Sequence, residues 1–192
     1  MITIILVVAL CVALFFHFNA KAPVHSDSTA ATNTAVASSK PAQTSPGLPL
    51  RLQIPAIAVD AAIESVGITP KGEMDVPKNP ANAAWYNRGP RPGEKGSSVI
   101  DGHYGYKGNV PAVFDNLSKL QKGDKLYVRD VNGMTNTFVV RVSRNYDPKA
   151  DASGVFLSSD GKAHLNLITC EGVWDKTKNS FSSRLVVFTD KE

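Results

Sequence analysis

The chain has 192 residues, 43% of them hydrophobic and 20% charged, with a net charge of +4. That length and balance describe one globular domain with extensions. Lysines and arginines are scattered among acids and form no run of five or six, so no nucleic-acid partner is expected.

Residues 2–18 are apolar apart from Thr3 and His17. As a helix they would span about 25 Å, the short end of a membrane crossing. Residues 1–18 are therefore expected to be a single-pass transmembrane signal anchor. The alternative is a cleaved signal peptide, for which Ala20-Lys21-Ala22 would serve as the cleavage site. No Lys or Arg precedes the apolar run, so charge bias does not orient it. Residues 19–47 are rich in Ala, Ser, Thr and Pro and poor in large apolar side chains. Such a stretch buries too little to fold and reads as a disordered, flexible linker.

The globular part, 48–192, opens with the alternating run Leu50–Pro55 and a second strand candidate at Val59–Val66. Trp85-Tyr86 lead into a long Gly/Pro-rich turn, and Ser98–His103 reads as a strand running into a glycine and a histidine. Pro111–Leu120 has apolar residues at helical spacing and is expected as a short helix. Lys125–Arg129 and Thr137–Val142 flank Asn132-Gly133, a strong hairpin signal. Asp147–Asp160 reads as loop or short helix. A strand from Ala163 ends on Cys170, before a break at Glu171-Gly172 and a polar loop over Trp174–Ser182. Arg184–Phe188 is the last strand. About seven short strands with few helices predict a mostly β, closed or nearly closed barrel.

A thiol at a strand end is held by rigid backbone yet faces a groove, which suits a nucleophile. A lone cysteine also serves as a small buried hydrophobe, and residue type alone leaves both readings open. Cys11 lies far away in the apolar run, so Cys170 is expected to be unpaired. A thiol nucleophile needs a proton partner and an oxyanion stabiliser. Of the two histidines after residue 48, His164 lies six residues before Cys170 along one strand, about 20 Å away at strand rise. It reads as a surface or edge histidine. His103, at another strand end, is the partner by elimination. Arg184 opens the last strand and has a planar fork of donors suited to an oxyanion or carbonyl; a surface arginine is the competing reading. A thiol beside a cation is expected to titrate low. Trp85, Tyr104, Tyr106 and Trp174 either line the groove or serve as core and rim aromatics.

This set resembles the sortases, cysteine transpeptidases of Gram-positive-type cell surfaces. Their pattern is a strand ending in Thr-x-Thr-Cys or a variant, an upstream Gly-His, and an arginine on the last strand. Here it is carried by Leu167-Ile168-Thr169-Cys170, Gly102-His103 and Arg184. The stretch from Trp85 to His103 is most similar to class F, or class E, members. Two positions depart from the pattern: Asn166 stands where threonine or a small polar residue is usual, and Asp101 precedes the Gly-His. The resemblance implies an eight-stranded barrel with short helices, tethered to the cell membrane with its catalytic domain outside. It implies that the Cys170 thiolate attacks the Thr–Gly bond of an LPXTG-like sorting signal, forming a thioacyl-enzyme. His103 would protonate the leaving amine and Arg184 would hold the substrate. An amine in the cell wall or on a pilin would then take the acyl group. Thr169 is placed at the substrate-binding edge by the family motif, although in a regular strand it faces away from Cys170. No cofactor or metal is implied. Two alternatives remain: a membrane-tethered β-barrel that only binds, and a hydrolase with water as acceptor.

Overall fold

Strand periodicity in this chain serves to put apolar side chains on one face, and eight strands roll that face inward. The computed structural model describes residues 45–107 and 110–192. The anchor at 1–18 and the linker up to residue 44 lie outside the described residues. The strands in order are β1 (Pro49–Ile54), β2 (Val59–Val66), β3 (Ala83–Tyr86), β4 (Gly96–Gly102), β5 (Tyr106–Lys107), β6 (Val110–Pro111), β7 (Lys125–Asp130), β8 (Thr135–Tyr146), β9 (Ala163–Asp175) and β10 (Ser180–Lys191). One short α-helix, α1 (Ser153–Phe156), and two 3-10 turns, at Pro55–Ile57 and Leu117–Lys119, complete the described elements. The expected helix over Pro111–Leu120 is thus only that last turn, preceded by irregular backbone.

Eight strands close in the order β1-β2-β3-β4-β9-β10-β8-β7, with β7 pairing back onto β1. The Asn132-Gly133 hairpin joins β7 to β8, with Gly133 at φ 83°. Two neighbouring pairs are parallel, β2–β3 and β4–β9. Parallel neighbours need long crossovers, and the segments between β2 and β3 and between β8 and β9 return across the barrel's flank.

The barrel is filled by Leu52, Ile54, Ile100, Leu126, Phe138, Leu165, Leu167 and Val187, with Phe114 and Leu117 packed at one end. A smaller apolar cluster lies outside the barrel wall, where Val99, Val186 and Phe188 meet Val155, Phe156 and Ile168 under α1. β4 and β9 are therefore covered on both faces. This corrects the reading of His164 as a surface or edge residue. It is 7% exposed, with Nδ1 2.8 Å from Asp190 Oδ1 and Nε2 3.0 Å from Asp160 Oδ1. Asn166, one of the two departures noted above, is also buried. Its amide donates to Val155 O at 2.6 Å and pins α1 to β9.

The chain enters the barrel under restraint. Gly47 N donates to the buried Asp130 carboxylate at 2.7 Å, and Arg91 Nη1 donates to Pro46 O at 2.9 Å.

Gly102, the last residue of β4, is buried against the Phe114 ring and Val113, and a Cβ there would overlap both. Gly102→Ala is expected to destabilise the domain by about 1–3 kcal/mol, the usual cost of overpacking. Denaturant unfolding checks this; an unchanged midpoint would show that the Phe114 loop yields freely.

Candidate active site

Parallel pairing sets the register that matters here. Gly102 lies opposite Thr169, so the C-terminal ends of β4 and β9 stop side by side. β10 runs antiparallel to β9 with Arg184 directly opposite Cys170, and Tyr146 of β8 pairs with Arg184 in turn. Directly opposed residues hold their Cβ atoms about 4.5–5.5 Å apart. Cys170 and Arg184 share the outer face of the barrel with Ile168 and Val186, while Thr169 points inward with Leu165 and Leu167.

β9 does not stop at the cysteine. It continues to Asp175 and pairs with β10 through a register shift between Phe181 and Ser183. Gly172 occupies that bulge at φ 86°, where a Cβ would overlap Ser182 Oγ, which accepts from Val173 N at 3.0 Å. The glycine that reads as a strand breaker is a bulge glycine, and the expected polar loop over Trp174–Ser182 is two hairpin arms around a short turn.

Each polar side chain has a definite anchor. Nε2 of His103 lies 2.9 Å from Pro77 O. A carbonyl only accepts, so Nε2 carries the proton and Nδ1 is the ring's acceptor in the neutral form. Arg184 donates through Nη1 to Ser183 O at 3.1 Å and Phe181 O at 3.4 Å, and through Nη2 to Ser180 Oγ at 3.3 Å. The guanidinium is thereby held over the base of the hairpin.

Two cavities flank the thiol. One, of about 360 Å³, has apolar walls from Met74, Val76, Phe156 and Ile168 and carries Glu73, Asp101 and Asp147. The other, of about 500 Å³, is walled by Tyr104, Trp174 and Phe181, whose rings meet edge-on at 5.4 and 5.0 Å. His103, Cys170 and Arg184 are the residues that line both. Among the described residues, no three His, Cys, Asp or Glu side chains are grouped as metal ligands would be.

The electrostatics correct one expectation. The Cys170 thiol titrates above its ordinary value, not below it: burial pushes it up, Arg184 pulls it down less strongly, and Asp101 pushes it up further. Asp101 itself is pushed up to about 7, chiefly by burial, against the Gly102 N–H and the charge of Arg184.

The Sortase domain family model matches residues 52–192. The chain belongs to the sortase family. Sortases are cysteine transpeptidases. Among solved structures, sortase C-1 of Actinomyces oris is similar at 26% identity, covering 74% of this chain and 72% of that one, with a TM-score of 0.59. Sortase C2 of Group B Streptococcus pilus island 1 has 25% identity, 74% and 73% coverage and a TM-score of 0.56. A lid mutant of sortase A from Corynebacterium diphtheriae, at 23% identity, 79% and 74% coverage and a TM-score of 0.59, shares the fold. No curated protein sequence matches the chain significantly.

In this sortase Thr169 is placed away from the groove. It is 1% exposed, and its hydroxyl donates to Gly102 O at 2.7 Å inside the barrel. Its position ties the Cys170 strand to the His103 strand and leaves its side chain no route to substrate. Trp85 is a core residue, 4% exposed, with Nε1 donating to Pro90 O at 3.1 Å. Tyr104 and Trp174 line a cavity; the side chain of Tyr106 lies outside the described atoms. The residues that sequence reasoning missed are Asp101 as a groove acid and Pro77 as the histidine's anchor. The acid immediately before Gly-His was visible as a signal for the first, and nothing in the sequence pointed to the second.

Thr169→Val leaves Gly102 O buried without its donor, which costs about 1–3 kcal/mol; Thr169→Ser keeps the hydroxyl and should recover most of it. Unfolding free energies of the two variants check this. For Asp101 the sign is opposite to the usual carboxylate. An unfolded aspartate loses its proton near pH 4, whereas the folded one keeps it to about 7. Between those values the folded state binds more protons, so this group's contribution to stability falls as pH rises. The stability of Asp101→Asn relative to wild type should therefore increase from pH 4 to 7 and then level off; a difference independent of pH would show an ordinary aspartate.

Proposed function

We propose that this sortase cleaves an LPXTG-like sorting signal between Thr and Gly and transfers the acyl group to an amine of the cell wall or a pilin. The observation that supports this most is that Cys170, His103 and Arg184 form the common wall of two cavities. A transpeptidase needs such an arrangement, with the acyl chain on one side of the sulfur and the departing and incoming amines on the other.

The steps follow from the groups present. The Cys170 proton passes to Nδ1 of His103, and sulfur attacks the Thr carbonyl carbon. Arg184, a planar cation, stabilises the oxyanion. As the C–N bond breaks, His103 returns the proton to the leaving amine, and a thioester remains on Cys170. An amine then attacks the thioester and gives its proton to His103, and sulfur leaves as thiolate. Because burial outweighs Arg184 at the sulfur, Cys170 rests as the thiol and gives up its proton during the attack. The class F- or E-like stretch from Trp85 to His103 supports that branch of the family. The apolar run at 1–18 and the linker at 19–47 support a single-pass anchor with the catalytic domain outside the cell.

The test is intact-mass spectrometry on the full chain in detergent with an LPXTG-type peptide, with and without an added amine. An acyl adduct on Cys170 and an amine-dependent product are expected. Cys170→Ala should give neither, and Arg184→Lys should lower kcat about 100-fold or more, as loss of an oxyanion donor does. Cleavage without amine dependence would indicate a hydrolase. Intact folding with no adduct across a panel of sorting-signal variants would indicate a binding domain.

A further inference from the structure

Register places a third ionisable side chain on the face that carries the thiol. Asp101 lies opposite Ile168 in the parallel pair of β4 and β9, and Cys170 is the next residue on that face of β9. Across β9 from Asp101, Arg184 stands opposite Cys170 on β10. All three line the cavity of about 360 Å³. Among the described residues lining the two cavities, Arg184 is the only lysine or arginine.

We propose that Asp101 and Cys170 share the one cation Arg184, so that the thiolate forms while Asp101 holds its proton and Asp101 acts as a positioning residue for the charge of the sulfur. This rests on the reading of Cys170 as nucleophile. Two negative charges beside one half-buried cation leave an excess anion in the groove, which is costly. Glu73 from the β2–β3 connection and Tyr146 and Asp147 from the end of β8 line the same cavity; His103 is the other group able to become positive. His103 is bonded to Pro77 O through Nε2, and Arg184 is the permanent charge that both acids compete for. Asp101 feels Arg184 as a lowering influence and Cys170 feels Asp101 as a raising one. A small uncharged residue at position 101 would leave Arg184 wholly to the sulfur. With aspartate there, deprotonation of the carboxyl disfavours the thiolate, and reactivity is restrained as pH rises through the carboxyl's titration.

The test needs no sorting peptide. Alkylation of Cys170 by iodoacetamide is followed between pH 5.5 and 9.5 on the full chain in detergent. Peptide-resolved mass spectrometry separates Cys170 from Cys11. At pH 5.5 Asp101→Asn should react at the wild-type rate, since both side chains are then neutral. At pH 8.5 it should react about 3- to 10-fold faster, as a shift of half to one unit in the thiol's titration produces. Asp101→Glu should restore the wild-type profile. A rate ratio that does not change with pH overturns the proposal, because a merely structural role would alter stability without a pH-dependent ratio. Should Asp101→Asn not fold, the wild-type carboxyl is titrated by carbon NMR. A midpoint well above 4 that rises further in Arg184→Gln supports the shared cation, and a midpoint near 4 overturns it. Alkylation that behaves as expected in a protein that forms no acyl adduct would sink the transpeptidase reading alone; adduct formation with a pH-independent ratio would sink this inference alone.

Discussion

The parallel pairing of β4 with β9 is the constraint on which the site depends. Two strands separated by some sixty residues of chain end at the same level only because they run the same way, with Gly102 opposite Thr169. The inward hydroxyl of Thr169 closes that register with a buried hydrogen bond to Gly102 O. Gly102 has no side chain because Phe114 and Val113 occupy the space it would need. The next residue on each strand, His103 or Cys170, then lies at the groove. An antiparallel arrangement would send one of them to the far end of the barrel.

A second consequence concerns charge. The groove that half-buries Cys170 also penalises its ionised form, and Arg184 only partly offsets that penalty. A resting thiol is less open to oxidation and adventitious alkylation than a standing thiolate. The same low-polarity surroundings strengthen the pull of Arg184 on any negative charge that forms beside it. The penalty on the thiolate and the strength of the Arg184 charge thus have one physical origin.

Much of this was legible from local patterning. β1 announces itself by alternation, β2, β7, β8 and β10 read as short strands bounded by turn signals, and Asn132-Gly133 marks its hairpin. The chain also shows a cysteine, a Gly-His and an arginine, each at a strand end or start. What was not legible depends on segments distant in sequence. His164 and Asn166 look outward-facing on β9, yet the β8–β9 connection covers them and supplies Asp160 and Val155 as partners. Gly172 looks like a break because a bulge and a strand end need the same positive φ. The direction of the thiol's titration was misjudged because sequence shows the nearby cation and not the depth of burial. β3 is four residues long and half alanine, too short to show a period.

The entry of the chain into the barrel has a mechanical meaning. Any tension on residues ahead of Ser45 reaches the domain through Pro46 and Gly47, which are clamped by Arg91 and Asp130. Behind that clamp stands β1, laced on both edges to β2 and β7. In the closed ring of eight, β9 is the strand diametrically across from β1. Force applied at Pro46 would meet the clamp and the ladders of β1 before it reached the backbone that carries Cys170. The backbone that carries Cys170 thus stands opposite the point at which the chain enters the barrel.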